Sequence, residues 1–236
     1  MNDLPVITNK KEKLQLPSDG FILLIDKEPD CTSFDVVAKL RKILHIRKIG
    51  HAGTLDPFAT GLLVMLVGKA TKMQDGLMMN DKIYECTIKL GERTDSFDRT
   101  GTVISTSEKQ VTEEEIRQAV MSFVGEGEQL PPMFSAVKKD GKRLYELARK
   151  GVEIEREPRK ITIHSIDLLE SGRDSFRMRV NCSKGTYIRS LADDIGTKLG
   201  TYAHLKELRR VSSGEYSVND AFRLNEFQEF VKPSEI

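Results

Sequence analysis

The chain has no tryptophan, three cysteines and eight prolines in 236 residues. Cys31, Cys86 and Cys182 are odd in number, far apart and without CxxC spacing, which argues against a disulfide scaffold and fits a reducing compartment. The four histidines show neither HExxH nor any clustered ligand pattern, so no metal is expected, and no cofactor motif is present. The one stretch that suggests a phosphate loop fails on spacing: around Gly68 and Lys69, Leu63 and Ala70 occupy the positions where a Walker sequence needs Gly and Ser or Thr. No apolar run approaches the ~18 residues of a membrane span, and the polar N-terminus lacks a signal-peptide core. A cytoplasmic protein with no membrane partner is expected.

A dominant charge is lacking as well. With 37 basic against 36 acidic residues, net charge does not announce a nucleic-acid binder, so distribution carries the information. Val36 to Leu55 holds Lys39, Arg41, Lys42, Arg47 and Lys48 with no acidic residue, and Lys138 to Lys160 is again basic. Either run by itself reads as a solvated face.

Apolar patterning supplies an outline. Phe21 to Ile25 and the continuous Leu62 to Val67 predict buried strands. Ser33 or Thr32 caps a helix with Val36, Val37, Leu40, Ile43 and Leu44 on one face, and Thr112 with Glu115 forms a capping box for a helix closed by Gly125. Ile83 to Leu90 and Thr102 to Ser105 read as strands, as do the alternating Ile161, Ile163 and Phe176 to Cys182. A helix follows with Ile188, Leu191, Ala192, Ile195 and Leu199 inward, then a strand at Leu205 to Val211 and a short C-terminal helix. Strands and helices without regular βαβ alternation give an α+β class: a mixed, mainly antiparallel sheet flanked by helices.

One loop stands apart. Gly50 to Gly61 reads GHAGTLDPFATG, a lone carboxylate, Asp56, among glycines, a histidine and a proline. Glycine frees φ and proline fixes it, so the stretch is expected to be a shaped loop rather than the interior of a strand or helix. An Asp-Pro turn whose carboxylate serves nearby amides explains the residue as well as chemistry does.

The surrounding sequence breaks that tie. GHAGTLDPFATGLLVMLVGKATK resembles the catalytic motif of the bacterial tRNA pseudouridine synthase B (TruB) family, stand-alone type. Lys82-Ile83-Tyr84 resembles the family's K-x-Y strand, Gln129 to Gly151 its Q-x-P-P segment, and CSKGTYIRSLADDIG its C-S-x-G-T-Y-I-R block. The resemblance implies isomerisation of uridine 55 in the tRNA T-loop to pseudouridine, with the base flipped out, the N1–C1′ bond broken and C5 joined to C1′. It implies Asp56 as the catalytic carboxylate, and Tyr84, Tyr187, Arg189 and Leu208 around the base, Arg189 pairing with Asp56. His51 fills the gap left by the flipped nucleotide, and a basic thumb carries Lys138, Lys139, Arg143 and Arg149.

The same resemblance implies a polar extension at 1–20, a catalytic domain at 21–217 with the thumb at about 130–160, and a tail at 218–236 without a complete PUA domain. The partner is the tRNA T-arm, with no cofactor, guide RNA or protein partner, and the chain is expected to be a monomer. Lys27-Glu28-Pro29-Asp30-Cys31-Thr32-Ser33 departs from the family's K-P-x-G-x-T-S, with proline displaced and glycine replaced. A T-loop-binding or tRNA-folding module without chemistry is the alternative reading.

Overall fold

Caps, apolar runs and glycines place the elements, and the computed structural model describes residues 4–10, 16–135, 138–139, 141–148, 151–152 and 154–231. The chain forms two compact units, Met1–Tyr84 with Leu208–Ile236, and Glu85–Glu207.

The first unit opens with β1 (Val6–Ile7), within the lead expected to be merely polar, and β2 (Gly20–Lys27). Helix α1 (Ser33–Leu44) is capped by Thr32, whose side chain accepts from Asp35 N while the Asp35 carboxylate receives Thr32 N, a reciprocal box. Next come β3 (Ile49–His51), β4 (Thr60–Gly68), a 3-10 turn at Lys69–Met73, α2 (Gln74–Met78) and β5 (Lys82–Leu90), whose last residues belong to the second unit.

The second unit continues with β6 (Glu92–Thr94), β7 (Val103–Thr106), α3 (Glu113–Met121) and β8 (Gly125–Gln129). It goes on through β9 (Lys138–Lys139), β10 (Lys142–Arg143), α4 (Leu144–Ala148), β11 (Arg159–Ser171), β12 (Ser175–Cys182) and α5 (Ile188–Leu199). Strand β13 (Ala203–Ser213) returns the chain to the first unit, which ends in β14 (Tyr216–Ser217) and α6 (Leu224–Val231).

In the first unit the strand order is β1–β2–β4–β13, with β3 also on β4. β2 and β4 run antiparallel from Gly20↔Gly68 to Lys27↔Gly61, whereas β4 meets β13 in parallel at Thr60↔Arg209 and Gly61↔Arg210. Leu62 to Val67 is buried throughout, as a continuous apolar run demands, and Ile22, Leu24, Leu62, Val64 and Leu66 form a core with Ala52, Ala70 and Tyr216. Each such aliphatic side chain contributes roughly 1.5–3 kcal/mol by leaving water.

In the second unit the order is β5–β12–β11–β8, and β6–β7 and β9–β10 are separate antiparallel pairs. Parallel pairing at β1–β2 and β4–β13, with antiparallel pairing at β2–β4, β3–β4, β8–β11, β11–β12 and β13–β14, gives the mixed sheet of the expected α+β class.

Two local expectations change. Gly125 does not close α3, which ends at Met121; it opens β8 with φ +117°, and β8 exists because β11 pairs with it from Arg159↔Gln129 to Ile163↔Gly125. Gly50 and His51 lie in β3, and Thr60 and Gly61 in β4, so the irregular part of the Asp56 stretch is residues 52–59.

Candidate active site

Asp56 is half-buried between the buried Leu55 and Phe58, on a tight turn in which Ala59 N donates to Asp56 O at 3.1 Å. The loop is anchored from four directions, all within the first unit. At its entry Ala52 N donates to Val64 O at 2.9 Å. Just before the aspartate, Ser33 Oγ accepts from Leu55 N at 2.9 Å and donates to Leu55 O at 3.2 Å, tying the first residue of α1 to the loop.

Lys27 supplies the third anchor. Its ammonium donates to Pro57 O at 3.0 Å, Cys31 O at 2.7 Å and Glu28 O at 2.9 Å, with the residue only 1% exposed. Burial pushes this ammonium below the ordinary lysine value, and negative charge at Cys31, Asp30 and Asp56 opposes that shift. Asp30, standing where the family's first motif has glycine, adopts φ +60°, a left-handed conformation that Asp tolerates better than most residues.

The fourth anchor is Arg210, 1% exposed, whose Nε donates to Leu62 O at 2.7 Å and Nη2 to Gly53 O at 3.1 Å. It thereby grips both ends of the loop. A Cβ on Gly61 would stand 2.7 Å from Arg210 N, so only glycine permits this approach of the two backbones. Lys27, Ser33 and Arg210 were not identified as site residues from sequence. For Arg210 the signal is strand parity: it lies two residues from the apolar Leu208 and shares its face.

The other expected residues fall as follows. His51 is half-buried in β3, its carbonyl accepting from Gln74 Nε2 at 3.0 Å; burial, and then the charge of Arg210, lower its pKa, which favours the neutral ring. Leu208 is buried and its carbonyl accepts from Thr60 Oγ1 at 3.5 Å, which joins it to the loop exit. Tyr84 is half-buried in β5, behind Lys82, whose ammonium donates to Met78 O at 2.8 Å and to Asn80 O.

Tyr187 and Arg189 belong to the second unit. Gln129, buried at the end of β8, accepts from Tyr187 N at 2.7 Å and donates to Tyr187 O at 3.1 Å, fixing the residue that precedes α5. Arg189, 4% exposed, donates to Phe134 O at 2.8 Å and Ser96 O at 3.4 Å and lies 3.5 Å from the buried Asp98 carboxylate. That carboxylate also accepts from Ser96 Oγ, Thr100 N and Thr100 Oγ1. Backbone pairing sets Lys138 opposite Arg143 and Lys139 opposite Lys142, while Arg149 lies outside the described residues. Among the described residues no group of three or more His, Cys, Asp or Glu could hold a metal ion, and no helix is long and apolar enough to cross a membrane.

Residues 41–188 match the family model for the N-terminal domain of TruB family pseudouridylate synthases, and residues 189–235 match that for the C-terminal domain of tRNA pseudouridylate synthase B. The tRNA pseudouridine synthase B of Aromatoleum aromaticum is 50% identical over 206 residues, covering 87% of this chain and 67% of its own. That of Opitutus terrae is 49% identical over 216 residues, covering 91% and 89% respectively. Among solved structures, a chain in the crystal structure of a Cbf5–Nop10–Gar1 complex is similar, with a TM-score of 0.71 and 33% identity over 89% of this chain. This chain spans about half of that longer one, 54% of its length.

Proposed function

The chain belongs to the TruB family of pseudouridylate synthases, and on that premise we propose that it isomerises uridine 55 in the T-loop of tRNA to pseudouridine. Residues 21–217 would serve as the catalytic domain, with a thumb at about 130–160. The observation that carries the proposal is Asp56, a half-buried carboxylate on a loop fixed at Ala52, Leu55, Pro57 and Gly53. Such immobilisation suits a group that must meet one atom of an extruded nucleotide, since misplacement by about 1 Å can cost on the order of a hundredfold in rate.

A uracil within a stem-loop must leave its stack before any side chain reaches C1′ or the base. Asp56 then acts as nucleophile, or stabilises the cleaved sugar, while the base turns and C5 joins C1′. Tyr84 stacks on the uracil, Tyr187 and Leu208 bound it, and Arg189 pairs with Asp56 to hold it ionised. His51, kept neutral, occupies the gap in the RNA, where stacking contributes ~1–3 kcal/mol per base. Lys138, Lys139, Arg143 and Arg149 close over the phosphates as the thumb. The enzyme works in the cytoplasm as a monomer, without cofactor, guide RNA or protein partner.

The test uses a T-arm hairpin with tritium at uracil C5. Wild-type protein is expected to release tritium and form pseudouridine, and Asp56→Asn to abolish both while holding RNA affinity within about tenfold. Absence of release from wild-type protein at stoichiometric concentration would leave only the binding-module reading.

A further inference from the structure

We propose that the exposed face of α1 and the turn that follows it form a track for the phosphate backbone of RNA, leading to His51. This rests on the reading of the chain as an RNA enzyme and adds a surface to it. Arg41 is used internally, its Nη2 donating to Ile49 O at 3.3 Å and its guanidinium lying 5.7 Å from the Phe34 ring centre. Lys39, Lys42, Arg47 and Lys48 are exposed, and none of them pairs with a carboxylate among the described residues. Asp35, one turn before Lys39, feels that ammonium's charge but forms no ion pair with it, its carboxylate being bonded in the cap, where it accepts from Thr32 N at 2.8 Å and Thr32 Oγ1 at 2.7 Å.

Several other basic side chains are paired. Lys69 meets Asp19 at 2.9 Å, Lys89 meets Asp174 at 2.8 Å, Arg117 meets Glu113 at 2.8 Å, Arg177 meets Glu170 and Arg179 meets Glu85 at 2.6 Å each. A solvated surface with mixed charges produces such pairs without effort. Four neighbouring cations left without them repel one another and invite a partner of dense negative charge.

Placement selects RNA over an acidic protein. Lys39 and Lys42, three residues apart, share the helix face opposite Val36, Val37 and Leu40. At His45 the backbone turns left-handed, with φ +57°, and Arg47 and Lys48 emerge directly before β3, whose last residue is His51. The frame is rigid: Ser33 binds Leu55, Arg41 binds Ile49, and Lys48 O accepts from Gly68 N at 2.9 Å. The cations therefore hold a fixed position relative to the Asp56 loop. A 12-residue helix is ~18 Å long, about five steps of a nucleic-acid strand at ~3.4 Å each.

The experiment compares the full chain with a variant carrying Lys39→Gln, Lys42→Gln, Arg47→Gln and Lys48→Gln, and with a control carrying Arg117→Gln and Arg177→Gln. T-arm RNA affinity is measured against salt, and pseudouridine formation at saturating enzyme. The track variant should bind about 100- to 1000-fold more weakly at ~0.1 M salt, and its log Kd against log salt slope should fall by about 3. Its saturating rate should stay within threefold of wild type, and the control should match wild type throughout. The proposal is overturned by an unchanged slope, by an equal loss in the control, or by lost binding to anionic vesicles or an acidic peptide with RNA affinity retained. The single variants Lys42→Gln and Arg47→Gln, each expected to lower the slope by about 0.7, provide the same reading if the fourfold variant misfolds. Absence of pseudouridine from wild-type protein would count against the enzymatic reading alone, because affinity and slope still report on the track.

Discussion

Arg189 and Arg210 are both buried arginines, and the two units of the chain hold them by different means. In the second unit Arg189 faces the Asp98 carboxylate together with two backbone carbonyls, and Asp98 has hydroxyl and amide donors of its own. In the first unit Arg210 meets the carbonyls of Leu62 and Gly53, and no carboxylate pairs with it among the described residues. The first cation is balanced next to a buried charge. The second, among the described residues, is balanced by carbonyl dipoles, so its field persists and helps to keep His51 neutral. A buried ion pair is therefore most vulnerable to loss of one partner, whereas a carbonyl-bound cation is most exposed through the geometry and potential it imposes.

Removing each cation breaks that contrast most directly. Arg189→Met should have the largest effect on stability, about 3–5 kcal/mol by denaturant unfolding, because it leaves Asp98 buried without its counter-charge. Adding Asp98→Asn should recover at least half of the loss in a double-mutant cycle; if it recovers nothing, charge compensation is not what holds this site. Arg210→Met should be milder, about 1–3 kcal/mol for two carbonyls losing their donor, yet should lower the saturating rate of pseudouridine formation about tenfold or more. A stability loss from Arg210→Met as large as that from Arg189→Met would undo the distinction between the two.

The smallest effect sharpens the comparison. His51 should titrate below its ordinary 6.5 in an NMR experiment, and Arg210→Met should move the midpoint upward while Arg189→Met leaves it in place. Since the folded state prefers the neutral ring, the unfolded chain takes up the proton first on acidification. Stability from this residue is then complete above the unfolded value near 6.5 and falls as pH drops through it.

What could be read from the sequence was local. The cap at Thr32 with Asp35 and the box at Thr112 with Glu115 need only four residues each, and Leu62 to Val67 declares a buried strand by composition. Strand β8, GEGEQ, could not be read because nothing in it alternates and it is held by its pairing with β11, a relation between distant residues. The same limit applies to the site. Asp56 and His51 stand in one short motif, but Lys27 and Arg210 look like ordinary surface charges until the sheet places their side chains beneath the loop. Ser33 reads locally as a possible cap, yet it serves Leu55, 22 residues away, because Thr32 takes the cap.

Lys27 gives the loop a property that its hydrogen bonds alone do not describe. An ammonium that gathers the carbonyls of Glu28, Cys31 and Pro57 performs the office of a bound cation organising a turn, but this cation is tethered covalently to the chain. It cannot be chelated, exchanged or diluted away. The shape of the segment around Asp56 is thus independent of which ions the surrounding solution contains, even though the RNA that the segment awaits is among the most ion-sensitive of ligands.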